Sequence, residues 1–463
     1  MQQFSQHTIA AIATPIGIGG ISVIRISGTK SFAIVHSIFR SGVDIINVPS
    51  HTIHYGVIND IDGLTVVDTV LVSIFRNPNS YTGEDVVEIS SHGGYFVAQK
   101  ILSVLYAAGA KPANPGEFTQ RAFLNGKLDL AQAEAVADII HSRSEKSHKA
   151  SMMQLSGRLS KHVNGIREQL LNLCSLLELE LDFSQEGIEL ATKEDVLKRI
   201  STIETEIKKL SDSYSAGKFV REGVRVALIG KPNAGKSSLL NILLGEERAI
   251  VSEIAGTTRD VIEESIILNG VEFVFFDTAG LRDSYDTIEQ EGIRRTLISL
   301  KQADLALFII DCSHKVLQGD VLMVKQMMES AGNQIPFLMC INKIDIKDSS
   351  FAISDFAPLH SVEISCKQHL GIDKLKQELI DLSIPRHDAN SSSIVITNIR
   401  HKVALTSALS SLQKAQETIT NGLGGDFAAV DLRDALNYLG EIIGLTTPDD
   451  ILNHIFGKFC IGK

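Results

Sequence analysis

The spacing of apolar residues changes along this chain, and each change marks a different kind of element. Over residues 1–118, short apolar runs of strand length alternate with turn residues: Thr8–Ala13, Ile21–Ile26, Val66–Phe75 and Val86–Ile89. The stretches near 30–40 and 95–108 read as helices between them, which predicts a small α+β domain. From about 119 the period becomes helical. Leu128 to His141 is rich in Ala and Leu, and 146–183 continues the pattern. Thr192 opens a capping pattern with Asp195, and Val196, Ile200, Ile203, Ile207 and Leu210 then fall on one face, closing a first helical region over 119–222. Strand-like runs return at Val224–Ile229, Val271–Phe276 and Phe337–Ile341, alternating with helical stretches such as Ser238–Leu244, ending at Gly245. The dipeptide Asn269-Gly270 marks a hairpin. An α/β domain is therefore expected over 223–383. Helical texture resumes after the polar turn Pro385–Ser393, giving a second helical piece over 384–463. The simplest topology is one helical domain interrupted by the α/β domain, the alternative being two separate helical pieces.

The chemistry is densest in the α/β domain. Gly230-Lys231-Pro232-Asn233-Ala234-Gly235-Lys236-Ser237 is a complete phosphate loop between a strand and a helix. Its glycines let backbone N–H groups turn toward phosphate oxygens at a helix N-terminus. Lys236 would reach the outer phosphates, Ser237 would hold Mg²⁺, and Ser238 follows at the helix start. Further signals stand in the right order. Thr258, in Gly256-Thr257-Thr258-Arg259-Asp260, supplies a second hydroxyl for magnesium. Asp277-Thr278-Ala279-Gly280 ends a strand and places a carboxylate beside the metal. In Asn342-Lys343-Ile344-Asp345, Asp345 can accept both N–H groups of a guanine edge, and Ser365-Cys366-Lys367 would cover the base. Together these specify a GTP-binding domain of the Ras-like kind. Leu281 stands where such enzymes carry a water-orienting Gln, so a carboxylate among Asp283, Asp286 and Glu289 has to substitute. No arginine is poised as a finger, and Asn233 with carbonyls of the loop from Ser252 to Thr257 can form an oxygen-lined cation site.

Composition narrows the partners. At 463 residues the chain has room for several domains. Its cysteines, at 174, 312, 340, 366 and 460, are odd in number and lack metal-ligand spacing, as in a reduced cytosol. No apolar run is long enough to span a bilayer, so a cytoplasmic protein is expected. A net charge of −11 argues against a global polyanion binder, so a nucleic-acid substrate needs a local basic patch or a partner.

The end of the chain, Phe459-Cys460-Ile461-Gly462-Lys463, carries a Cys-x-Gly-Lys signature. Matching segments elsewhere are Ala13–Gly20, Ser80–Asp85, Ser91–Gly94 and the long stretch Arg121–Glu134. With these and a single central GTP domain, the chain resembles the MnmE (TrmE) family of tRNA modification GTPases over essentially its whole length. The resemblance implies a homodimer that works with the flavoprotein MnmG, which carries FAD, to place an aminomethyl-type group on C5 of the wobble uridine of certain tRNAs. It implies a 5-formyl- or methylene-tetrahydrofolate as the one-carbon source, lined by Arg25, Glu88, Lys127 and Lys463. It further implies Glu289 as general base, and K⁺ in place of an arginine finger, held by Asn233, Ser252, Ile254 and Thr257. Many relatives carry an arginine where this chain has Ile18, which weakens a polar contact from that loop to folate while leaving its glycine framework intact. Cys460 is a candidate nucleophile toward C6 of a pyrimidine, with Lys458 and Lys463 as nearby cations, against a packing role for the tail. The alternatives in other classes are a ribosome-assembly GTPase and a purely regulatory GTPase scaffold.

Overall fold

The computed structural model describes residues 7–182, 192–246, 263–277, 300–316, 335–351, 360–383, 394–422 and 425–463, with isolated positions between 321 and 329. The chain forms two compact units, one of residues 1–137, 154–168 and 436–463 and one of residues 138–153 and 169–435.

The first unit is built on a seven-stranded sheet. Its strands are β1 (Ile9–Ile12), β2 (Ile21–Ser27), β3 (Phe39–Arg40), β4 (Thr52–Asn59), β5 (Val66–Phe75), β6 (Val86–His92) and β7 (Lys111–Pro112), in the order β3-β4-β5-β6-β2-β1-β7. Only β1 and β7 pair in parallel. Helices α1 (Ser31–Ile38) and α2 (Tyr95–Ala107) bury Val35, Ile38, Ile101 and Leu105 against Ile24, Ile26, Val72, Ile74 and Ile89 of the sheet. Alternate residues of β2 and β5 supply that face, which is why those strands were readable from their pattern. Strand β4 was not, because its first half is largely exposed. It is placed by a close approach instead: any side chain at Gly56 would strike the Phe39 ring and the Arg40 carbonyl of β3. Helices α3 (Glu117–Leu124) and α4 (Leu130–His141) follow, then α5 (Glu145–Leu155) and α6 (Arg158–Asp182). The helical stretch expected over 146–183 is divided into these last two helices at Gly157, which takes φ 78°.

The second unit contains β8 (Val224–Ile229), β9 (Glu263–Leu268), β10 (Val271–Asp277), β11 (Leu305–Asp311), β12 (Phe337–Asn342) and β13 (His360–Glu363). They form a six-stranded sheet in the order β13-β12-β11-β8-β10-β9. All pair in parallel except β9 with β10. Asn269 (φ 49°) and Gly270 (φ 76°) make the two-residue turn between β9 and β10 that the sequence predicts. Both faces are apolar, as a sheet with covered faces requires. Val224, Val226 and Leu228 join one core with Phe273, Leu307 and Leu338, while Ala227 and Ile229 join the other with Phe308 and Met339.

Helices α7 (Lys193–Asp212) and α8 (Tyr214–Glu222) precede this sheet, α9 (Lys236–Glu246) and α10 (Ile372–Ser383) belong to it, and α11 (Ile399–Thr420) follows it. The Thr192 side chain caps α7 by accepting from Asp195 N at 3.2 Å. The stripe from Val196 to Leu210 is buried, and α7 packs on α11, where Ala404, Leu405, Ala408 and Leu412 are buried in turn. Lys193 Nζ donates to the Thr420 carbonyl at 2.8 Å and Lys402 Nζ to that of Ser211 at 3.1 Å. Helices on either side of the α/β segment thus pack on each other, so the segment is an insertion in a helical region. Gly245 lies inside α9 rather than ending it. The last helices are α12 (Gly425–Ile443) and α13 (Asp449–Phe456). Among the described residues no helix is long and apolar enough to cross a membrane.

Candidate functional site

Strand β8 is the centre of the second sheet, with chain crossing to β10 on one side and to β11 on the other. Ligands of open α/β sheets bind at such a reversal, outside the carboxyl ends of the strands. The loop Gly230–Gly235 leaves β8 at that point and runs into the N-terminus of α9. Gly230 (φ 159°) runs hard against the Ile309 carbonyl, and Gly235 (φ 105°) against the Asn342 side chain, so neither position has room for a Cβ. Asn233 adopts φ 63°, a left-handed conformation that Asn tolerates. Lys236 is 8% exposed and its Nζ donates to the carbonyls of Gly230 at 2.7 Å and Lys231 at 3.2 Å, so the ammonium lies over the loop. Ala234 is buried beneath it, while Ser237 and Ser238 are exposed in the first turn of α9, where helix N–H groups lack intrahelical partners.

Asn342 joins this loop to two others. It is 1% exposed; Nδ2 donates to the Ala234 carbonyl at 2.9 Å, and Oδ1 accepts from Lys343 N at 2.8 Å and Cys366 N at 3.2 Å. Ser365, fully buried, donates from Oγ to Asp345 Oδ1 at 2.6 Å and turns that carboxylate toward the loop it belongs to. The candidates Asn233, Ala234, Gly235, Lys236, Asn342, Lys343, Asp345 and Ser365 are thereby brought into one connected edge of the sheet. The register of β8 and β10 sets Asp277 opposite Leu228, at the same edge. Ser252, Ile254, Thr257, Thr258, Thr278, Ala279, Gly280 and Glu289 lie outside the described residues, as do Leu281, Asp283 and Asp286.

Asp311 lies outside every motif read from the sequence. Its carboxylate meets Lys343 Nζ at 2.5 Å and accepts from Ser313 N at 2.9 Å and Ser313 Oγ at 2.6 Å. Burial pushes its carboxyl up, but the bonds from Lys343 and Ser313 outweigh that and hold it below the usual aspartate value. The signal that could have found it is an acidic residue closing the apolar run Leu305–Ile310, one strand away from the phosphate loop.

A second constellation sits on the first sheet. Arg25 of β2 and Glu88 of β6 are direct cross-strand partners, and Arg25 Nε and Nη2 both meet Glu88 Oε1 at 2.8 Å. The guanidinium stacks over Tyr81 and Phe118, with centroids 5.1 and 5.6 Å away. Its Nη1 donates to the Gly462 carbonyl at 3.5 Å, so the chain's final residues close on this pair. Gly462 (φ 98°) lies where a Cβ would strike the Ile12 carbonyl. The tail is anchored by Phe459, packed on Phe456, which in turn meets Phe123. Burial, then the charge of Arg25, push the Lys463 ammonium below the ordinary lysine value, against Glu88 and Cys460, which raise it. Lys127 is exposed; its stem lies 3.3 Å from the space beyond Gly83 and its Nζ donates to the Pro78 carbonyl at 3.1 Å. Lys127 and Arg25 therefore both contact the loop of residues 78–83. Cys460 is exposed and its carbonyl accepts from Gly116 N at 3.5 Å. A guanidinium-held carboxylate, aromatic faces and two lysines fit a flat, heteroaromatic ligand with an acidic tail.

Comparison with known proteins bears on both sites. The family model of the TrmE N-terminus, described as that of a GTP-binding protein, matches residues 8–127, and that of the MnmE helical domain matches 130–460. The tRNA modification GTPase MnmE of Christiangramia forsetii is 43% identical over 98% of this chain and 99% of its own length. That of Cytophaga hutchinsonii is 44% identical over 98% of each, and that of Carboxydothermus hydrogenoformans 42% identical over 99% of this chain and 100% of its own. The chain belongs to the MnmE family of tRNA modification GTPases.

Proposed function

We propose that the chain is a potassium-stimulated GTPase that works as a homodimer with the flavoprotein MnmG, which carries FAD, to install an aminomethyl-type group at C5 of the wobble uridine of certain tRNAs. In this reading residues 1–118 carry folate binding and dimerisation, 119–222 and 384–463 the helical domain, and 223–383 the GTP domain. The observation that supports the GTP half most is the tie that Asn342 makes from the Ala234 carbonyl of the phosphate loop to the backbone of Lys343 and Cys366. A phosphate grip and a base grip are thereby fixed at one distance from each other.

Lys236 leaves its loop carbonyls to bind the outer phosphates, and the N–H groups of Gly235, Lys236 and Ser237 face the same charge. Asp345, oriented by Ser365, reads the guanine edge. Ser237 and Thr258 would hold Mg²⁺, with Asp277 beside it, and Asn233, Ser252, Ile254 and Thr257 would hold K⁺. Such cations neutralise charge that develops on the transferring phosphoryl group. Glu289 orients and deprotonates the attacking water. In the first unit, Arg25 holds the Glu88 carboxylate for the donor edge of a tetrahydrofolate, while Lys127 and Lys463 suit its glutamate tail. A bound tetrahydrofolate would supply the one-carbon unit. Cys460 is exposed and lies within electrostatic reach of Lys463, and it is a candidate nucleophile toward the uridine.

The deciding experiment is GTP hydrolysis by the full chain in potassium against sodium buffer at matched ionic strength. Strong acceleration by potassium is expected, and equal rates would overturn the cation assignment. Lys236→Ala should abolish nucleotide binding, whereas Glu289→Ala should bind GTP and not turn it over; normal turnover in the latter removes Glu289 from the mechanism.

A further inference from the structure

We propose that Asp311 is a positioning residue that sets guanine-nucleotide affinity by holding the Lys343 side chain in its place next to the base-reading Asp345. The proposal rests on the reading of this sheet edge as a GTP site. Its starting point is register. Asp311 is the last residue of β11 and pairs with Asn342, the last residue of β12, so strand pairing itself delivers the carboxylate to the mouth of the base loops. The carboxylate is oriented from behind by Ser313, through N at 2.9 Å and Oγ at 2.6 Å, and spends Oδ2 on Lys343.

Lys343 needs this partner more than most lysines. Its backbone is held at φ 68°, a left-handed conformation uncommon for a residue with a long side chain. The bond from its N–H to Asn342 Oδ1, at 2.8 Å, fixes that backbone. Its flanking residues are committed, Asn342 to Ala234 and Asp345 to Ser365. The remaining freedom in the segment is the lysine stem itself, which is half-buried. Without a partner, a four-carbon stem has to be ordered when the base arrives, at a cost on the order of tenfold in affinity. With Asp311 in place that ordering is already done in the empty site. Burial raises the Asp311 carboxyl, but Lys343 and Ser313 hold it below its ordinary range, so Asp311 is a carboxylate at neutral pH.

The test is Asp311→Asn in the full chain, which preserves shape and can still accept from Ser313 while losing the charge. Fluorescently labelled GDP and GTP are titrated, and steady-state hydrolysis is measured over a range of GTP concentrations. Dissociation constants and KM should rise about tenfold, with kcat within about twofold of the parent. In a Lys343→Met background, Asp311→Asn should add little. Asp311→Glu, which keeps the charge, should recover part of the affinity and covers the case in which the Asn variant folds poorly. Unchanged nucleotide affinity in Asp311→Asn would overturn the proposal, as would an equal loss in the Lys343→Met background, which would mark a general destabilisation. Failure of the parent chain itself to bind GTP would overturn the site reading, and this proposal with it.

Discussion

The two units arrange their candidate sites by opposite means. At the edge of the second sheet the backbone does most of the work. Gly230, Asn233, Gly235 and Lys343 all adopt positive φ, and one buried side chain, Asn342, ties the loops together. On the first sheet the side chains do it. Arg25 and Glu88 project from neighbouring strands, Tyr81 and Phe118 wall them in, and a segment more than four hundred residues downstream, at Gly462, caps them. A site whose loops are fixed by backbone conformation is stiff once its strands are in register. A site made of cross-strand side chains depends on register and on a distant segment arriving, so it is assembled only when the whole unit is folded.

That contrast predicts where a single substitution does most harm. Asn342→Ala should be the most damaging, because it strips partners from the Ala234 carbonyl and from the N–H groups of Lys343 and Cys366 in a buried place. Each stranded group costs about 1–3 kcal/mol, less what water recovers, so a loss of about 3 kcal/mol is expected. Chemical denaturation followed by nucleotide titration measures it, and GTP binding should disappear even where the fold persists. A variant that melts normally and binds GTP would show that the loops hold themselves without the asparagine.

Arg25→Ala comes next. It removes the partner of a carboxylate that keeps 27% of its exposure, so water offsets part of the loss. About 1–2 kcal/mol is expected, with 5-formyltetrahydrofolate binding, read by calorimetry, lost. Arg25→Lys should recover stability better than binding, since a lysine neither forks onto a carboxylate nor stacks as a plane on Tyr81 and Phe118. Full folate binding by Arg25→Lys would mean that charge alone, not the planar fork, makes the site.

The same contrast explains what could be read in advance. The phosphate loop, Asn342-Lys343-Ile344-Asp345 and Ser365 are legible because positive φ and a tight loop restrict residue type over a short stretch of chain. Arg25 and Glu88 looked like ordinary strand residues: nothing in a period-two pattern tells which positions of β2 and β6 face each other. Only resemblance to a family pointed to them. Asp311 was missed for a related reason, since its partner lies across a strand pair rather than nearby in sequence. In the fold, β5 and α7 were readable from one buried face, whereas β4, half exposed and set by the approach of Gly56 to Phe39, was not. Gly157 and Gly245 illustrate the limit of composition: one breaks a helix at positive φ and the other is carried within a helix.

Lys463→Met should have the smallest effect and the most telling sign. In the docked tail, burial and then Arg25 lower the lysine's proton affinity, against the pull of Glu88 and Cys460. Between that lowered value and the ordinary lysine value of about 10.4, the docked tail binds fewer protons than the undocked one. Docking therefore strengthens as pH rises through this window and carries its full charge-burial cost below it. Removing the charge should stabilise the first unit at neutral pH, by on the order of a few tenths of a kcal/mol because the ammonium is only half-buried and screened. The same variant should weaken binding of a polyglutamylated tetrahydrofolate, whose carboxylates lose a cation. Thermal melts of parent and variant at about pH 7.5 and about pH 10 check it, because the gap should close as the parent lysine sheds its proton. A gap that stays constant with pH would mean that the lysine stem's packing, not its charge, sets the docking of the tail. The first site would then owe less to electrostatics than the GTP site does.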